Sequence, residues 1–195
     1  FNEPVTATTK RLGQVFWALD PKLAYLKHYP AINWFNSYSN YPRFIANWWY
    51  EKEIDWPEID IDWMECRRQV NKVLSQEQEL KHIVQLVGEK NLPEDQQLIL
   101  FIANLIKNGF LIQNAFDDID SFTNAKKLLS MIKLVLLVFN EGSNLINQGI
   151  LIEDILESDM INSILRISQT IPNEEFHQIE KIKNNFIKKL SLLSI

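Results

Sequence analysis

The chain has 195 residues, 46% of them hydrophobic and 23% charged, with a formal net charge of −5 and a pI near 5.3. That is enough chain for one sizeable core, or for a core with a smaller attached piece, and the balance excludes disorder. It also excludes nucleic-acid binding, which needs a basic surface to displace counterions; the pair Lys188-Lys189 reads as the solvated face of a terminal helix.

The single cysteine, Cys66, allows no intrachain disulfide and has no CxxC or histidine partner at ligand spacing. It points to a reducing compartment and reads as a half-buried small residue on a helix. The longest apolar stretch, Leu128 to Phe139, is interrupted by Ser130 and Lys133 and is too short to span a bilayer. No signal-peptide pattern opens the chain. Phe1-Asn2-Glu3-Pro4 lacks an initiator Met and reads as the middle of a longer polypeptide.

All six tryptophans and five of the seven prolines lie before residue 64. Residues 1–40 are expected to be irregular around one short buried strand, Gln14 to Leu19, closed by the turn signal Asp20-Pro21. A lone strand leaves its backbone groups unpaired, so its sheet is expected to be missing or reduced to a remnant. From Tyr41 the pattern turns helical. Pro42 opens a helix with Phe44, Ile45, Trp48 and Trp49 on one side. Pro57 is expected to start a longer helix that carries Ile61, Met64, Val70, Val73, Leu74, Leu80, Ile83, Val84 and Val87 to a stop at Gly88.

Pro93 suits the first turn of the next helix, where Glu94 and Asp95 complement the helix dipole, and this helix is expected to run to Gly109. Ser121 to Gly142 is apolar on most faces between Leu128 and Phe139, which predicts the central helix of a bundle, with Asp117, Asp118 and Asp120 at its start and Gly142 at its end. Two amphipathic stretches follow, roughly 150–168 and 172–192, the second opened by Pro172-Asn173-Glu174-Glu175. The fold class is mainly α, a helical bundle over 41–195 preceded by a short strand and turn over 1–40.

Catalytic motifs are absent. The five glycines form neither GxxxxGK nor GxGxxG; His28, His82 and His177 have no HExxH spacing; no GxSxG occurs. Acid pairs such as Glu153 with Asp154, or Asp60 with Asp62, read as solvated helix surface. The chain by itself is expected to catalyse nothing. What stands out is the turn Tyr29-Pro30-Ala31-Ile32-Asn33-Trp34. Proline restricts the residue before it and so fixes where the Tyr29 ring points. Such a ring can stack on a nucleobase; composition alone favours a place in a core beneath the turn, since aromatic residues dominate cores.

Several ordered segments bear on that choice. They are Glu3-Pro4-Val5-Thr6, Val15-Phe16-Trp17-Ala18-Leu19-Asp20, His28-Tyr29-Pro30-Ala31-Ile32-Asn33-Trp34 and Ser37-Tyr38-Ser39. Further on come Ile83-Val84-Gln85-Leu86-Val87-Gly88, Leu92-Pro93-Glu94, and Phe110-Leu111-Ile112-Gln113-Asn114-Ala115-Phe116 with Asp120. Together they closely resemble the catalytic A subunits of V-type and archaeal-type ATP synthases, over the chain to about residue 150; the last 45 residues match only in helical character.

The resemblance implies that residues 1–40 are the C-terminal edge of a P-loop nucleotide-binding domain and 41–195 the C-terminal helical bundle, with the P-loop, the catalytic glutamate and a β-barrel domain upstream of Phe1. It implies ATP or ADP with Mg2+ as the ligand, B subunits in an alternating A3B3 ring that supply an arginine finger, and central-stalk and peripheral-stalk partners. The expected place is the cytoplasmic side of a membrane, peripheral to an ion-translocating sector, with no direct membrane insertion. Tyr29, Phe116 and Phe1 match aromatic positions that border the adenine, and phenylalanine is common at the position of Tyr29.

Glu89, Lys90, Asn91, Leu92, Pro93, Glu94 and Asp95 match the turn that bears on the rotating shaft. Lys90 and Asn91 dilute its acidity and favour steric contact over an electrostatic push. The Trp48–Trp63 segment looks longer than its counterpart in the family, and is either a packing element or a contact with a peripheral component of the complex. The alternative reading is a non-enzymatic helical adaptor that binds other proteins through its acidic helices and Trp-rich segment.

Overall fold

The computed structural model describes residues 13–56, 62–156 and 158–193, and the chain divides between Met64 and Glu65 into two units. In the first, β1 (Val15–Phe16) pairs antiparallel with β2 (Tyr38–Ser39), Val15 opposite Ser39 and Phe16 opposite Tyr38. The Phe16 and Tyr38 rings stack with centroids 5.9 Å apart. The expected strand therefore has a partner within the chain, and it is not buried: Val15, Trp17 and Leu19 are exposed and only Ala18 of the run is buried. A ribbon two residues long satisfies its own backbone but covers little side-chain surface.

Asp20 then caps the short helix α1 (Pro21–Tyr25), its Oδ1 accepting the Lys22 N–H at 3.0 Å. Helix α2 (Pro42–Asp55) begins with Pro42 as expected. Its buried face is narrower than the spacing predicts, since Trp49 is buried while Phe44, Ile45 and Trp48 are exposed. Trp49 sits among Trp48, Trp56 and Trp63 at centroid distances of 5.0, 6.2 and 5.3 Å, and Lys52 Nζ lies 5.8 Å from the Trp56 ring. These tryptophans thus cluster around the buried Trp49, in geometries that ring quadrupoles favour.

Helix α3 (Trp63–Val87) follows the non-helical Asp62 rather than starting at Pro57; Pro57 and Ile61 lie outside the described residues. It buries Cys66, Val73 and Leu80 and ends before Gly88, whose φ of +82° is a conformation that a Cβ penalises. Helix α4 (Glu94–Ile106) buries Leu98, Ile102, Ala103, Leu105 and Ile106. It gives way to a π-helical turn, Lys107–Leu111, instead of running regularly to Gly109. Lys107 Nζ holds Glu77 of α3 at 2.7 Å, which pins this turn to its neighbour.

The central helix is α5 (Ala125–Asn147). It starts at Asn124, whose side chain accepts the Lys127 N–H at 2.8 Å, so Asp117, Asp118 and Asp120 belong to the preceding loop. Gly142 is inside the helix, not at its end. A Cβ there would lie 3.2 and 3.3 Å from the two Leu98 methyl carbons, so the bare backbone is what lets α4 pack this closely. By length and composition α5 could cross a membrane, a reach greater than the Leu128–Phe139 run suggests; half of the relevant window is buried inside the protein, as in a core helix.

The 150–168 stretch is three short helices, α6 (Ile152–Ile155), α7 (Ser158–Leu165) and α8 (Ile167–Thr170). A 3-10 turn, Asn173–Glu175, precedes α9 (Gln178–Leu193). One core joins Val73 of α3, Leu98 and Ile102 of α4, Leu134 and Val138 of α5, Ile155, Ile164 and Ile167 of the short helices, and Phe186 and Leu190 of α9. The mainly α class read from the sequence is the class observed, and the second unit is a helical bundle.

Candidate functional site

The Tyr29 turn is held against the strand run by backbone bonds. Asp20 N–H donates to Ala31 O at 2.9 Å and Asn33 N–H to Ala18 O at 2.7 Å, while Leu19 and Ile32 form an antiparallel bridge. Side chains close the arrangement: Asn33 Nδ2 donates to Asp20 Oδ2 at 3.2 Å, and Ser37 Oγ accepts the Ala18 N–H at 2.9 Å and donates to Asn33 O at 2.7 Å. The Tyr29-Pro30 peptide is cis. His28 and Ile32 on either side are buried, but Tyr29 is 52% exposed, its hydroxyl 3.4 Å from Ala24 O. Its ring does not fill a core beneath the turn.

Phe116 lies in the second unit, on the loop between the π-helical turn and α5, and is 99% exposed. The loop beneath it is tightly bonded. Asp120, buried at 3%, accepts the Asn114 N–H at 2.8 Å through Oδ2. Asn114 Oδ1 accepts the Phe116 N–H at 3.1 Å, and Asp117 Oδ1 accepts the N–H groups of Ile119 and Asp120 at 2.9 and 2.8 Å. Beside this base Lys127 is fully buried, its Nζ donating to Ser168 O at 2.8 Å. Burial pushes the Lys127 ammonium below its ordinary pKa, against the attraction of Asp120, Asp117 and Glu174. Asn173 ties down the far side of the base: its Oδ1 accepts the Asn124 N–H at 2.8 Å and its Nδ2 donates to Phe122 O at 2.9 Å.

The turn between α3 and α4 divides into anchors and outward residues. Leu92 is buried, and Glu94 Oε2 accepts the Ile152 N–H at 2.7 Å. Asn91 Nδ2 donates to Val87 O at 2.6 Å and Gln97 Nε2 to Leu92 O at 2.7 Å. Glu89, Lys90, Asn91, Pro93 and Asp95 are exposed. Tyr29 belongs to one unit and both Phe116 and the 89–95 turn to the other; Phe1 lies outside the described residues. A groove of about 510 Å³ between α5 and α9, lined in part by Asn144, Gln148 and Ser191, involves none of these side chains.

Sequence reasoning missed the parts played by Asp120, Lys127 and Asn173. Two signals were present: a lysine directly before the apolar run from Leu128, and an asparagine directly after Pro172.

These features define a helical-bundle domain that presents an aromatic ring and a capped helix–turn–helix on its surface. The family model for the C-terminal domain of V and A type ATP synthase matches residues 52–156, more than half of the chain, and the chain belongs to that family. Among curated proteins it is 42% identical over its whole length to the A subunit of the A-type ATP synthase from Ignicoccus hospitalis, covering 32% of that protein. It is 40% identical over 99% of its length to the like-named protein from Hyperthermus butylicus, covering 31% of it. A V-type ATP synthase alpha chain from Halothermothrix orenii is 37% identical over 93% of the chain, which covers 30% of that relative. The chain thus spans about a third of the length of these relatives.

Proposed function

We propose that the chain is the C-terminal part of the catalytic subunit of a rotary V/A-type ATP synthase, where it completes the adenine side of the nucleotide site and couples MgATP hydrolysis or synthesis to shaft rotation and ion transport. The observation that carries this reading is the 99% exposed Phe116 ring on a loop whose base is buried and bonded. An apolar ring held out of the core by a rigid base suits stacking on a flat ligand, which is worth about 1–3 kcal/mol per base. Tyr29, exposed on its own bonded turn, and Phe1 are the other two positions to which the family resemblance gives an adenine-side role. The boundary near residue 40, between nucleotide-binding domain and bundle, belongs to the same reading.

The phosphates and Mg2+ fall to other residues. Among the described residues no group of three His, Cys, Asp or Glu side chains could hold a metal ion. The alternating B subunits, the stalk subunits and the cytoplasmic, membrane-peripheral location come with the proposal.

Shaft contact falls to Glu89, Lys90, Asn91, Pro93 and Asp95, with Leu92 and Glu94 anchoring the turn from within. From there α4, 13 residues and about 20 Å long, leads directly to the turn that feeds the Phe116 loop. A helix packed along its length moves as a rod, so displacement at one end reaches the other.

The test is Phe116→Ala and Tyr29→Ala in the assembled complex. Each is expected to weaken nucleotide binding by about 1–3 kcal/mol, roughly 5- to 150-fold. Unchanged affinity in both variants sinks the reading.

A further inference from the structure

We infer that Asp120 is a positioning residue for the nucleotide site: its buried carboxylate fixes the loop that presents Phe116. The inference rests on the nucleotide reading of Phe116 given above. Phe116 has no packing of its own, so its direction is set by its backbone. That backbone is held in two links, Phe116 N–H to Asn114 Oδ1 at 3.1 Å and Asn114 N–H to Asp120 Oδ2 at 2.8 Å.

Asp120 is the link that reaches the protein interior. It is 3% exposed, and the fully buried Lys127 attracts it from the first turn of α5. A buried carboxylate that accepts a backbone N–H has little freedom to reorient, because turning away leaves both groups unpaired. Asn173 holds the far end of the loop through Phe122 O and Asn124 N–H, so the exposed ring stands in a loop closed on the buried Asp120 at one side and tied to Asn173 at the other. Ordering the loop before a ligand arrives removes that entropic cost from binding.

The experiment uses the full-length catalytic chain in the assembled complex, with two readouts: hydrogen exchange of the peptide spanning 113–121, and kcat and KM for ATP. Asp120→Ala is expected to speed exchange of that peptide and to raise KM about fivefold, with kcat held within about twofold. Asp120→Asn keeps an acceptor oxygen for the Asn114 N–H and is expected to recover both values. Unchanged exchange in Asp120→Ala overturns the inference, whatever the kinetics show.

Phe116→Ala separates the two claims. If it raises KM while Asp120→Ala does not, the positioning role is wrong. If exchange rises in Asp120→Ala but Phe116→Ala leaves KM unchanged, the clamp on the loop stands and the adenine reading falls. Should Asp120→Ala fail to assemble, Asn114→Ala removes the next link with Asp120 intact. It must then speed exchange and raise KM in the same way, or the inference fails.

Discussion

The Glu94 carboxylate accepts the backbone N–H of Ile152 at 2.7 Å, across 58 residues of chain. Ile152 is the first residue of α6, and Leu151 before it supplies no side-chain cap, so Glu94 provides from another helix what a local cap would provide. The same residue sits in the first turn of α4, where its charge also suits the dipole. Glu94→Ala is expected to cost about 1–3 kcal/mol in urea unfolding, and Glu94→Gln, which keeps an acceptor, clearly less. Equal stability of wild type and Glu94→Ala would contradict this account.

Lys127 makes stability depend on alkaline pH. Its folded-state pKa lies below its ordinary value of 10.5, chiefly through burial, so in that window the unfolded chain binds more protons than the folded one. Stability from this group therefore rises as pH climbs from the lowered value toward 10.5, and the penalty of burying the charge is present in full below the window. Lys127→Met lacks the titration. The thermal midpoint of wild type is expected to gain on that of Lys127→Met as pH rises through the window. A constant difference between the two curves is the opposing result.

Gly142 and Leu98 should show strong coupling. A side chain on Gly142 enters space that the Leu98 methyls occupy at 3.2–3.3 Å, so Gly142→Val is expected to lose about 1–3 kcal/mol by overpacking. Gly142→Ala makes the same close approach with a single methyl, partly offset by a gain in helix propensity of about 1 kcal/mol, and is expected to lose less than Gly142→Val. In a Leu98→Ala background the cost of Gly142→Val should shrink, as a double-mutant cycle by chemical denaturation would show.

Asn173 joins the 3-10 turn before α9 to the Phe116 loop through bonds to Phe122 and Asn124. Asn173→Ala leaves a partly buried N–H and a carbonyl unmatched, for an expected loss of about 1–3 kcal/mol. Asn173→Asp retains the acceptor for Asn124 N–H and should lose less. Calorimetry of the three proteins settles the ranking.

The helix–turn–helix at 88–95 is legible in the sequence because its signals are local. Gly88, Pro93 and the acids after it act on the backbone within a turn or two of themselves. The expected buried strand is exposed because burial is a property of what covers a residue. Val15, Trp17 and Leu19 have the composition of a core strand, yet their side chains lie open, on and just after a two-residue ribbon. The stretch 150–168 reads as one amphipathic helix because its apolar spacing persists through the breaks at Leu156 and Arg166, which periodicity does not register.

Asp117, Asp118 and Asp120 look alike in sequence, and only packing distinguishes them. Asp118 is exposed, Asp117 organises the loop backbone, and Asp120 is buried within reach of the Lys127 charge. The same holds for two glycines. Gly88 ends a helix through a positive φ, a need that its own backbone expresses and that the sequence therefore announces. Gly142 lies within a regular helix because Leu98, far away in the chain, requires the space. The sequence by itself determined the helical class, the helix ends on either side of the 88–93 turn and the family, all carried by short-range preferences and ordered motifs. The tertiary structure alone decided which charges are buried and which backbones touch, because those depend on residues that meet only when the bundle closes.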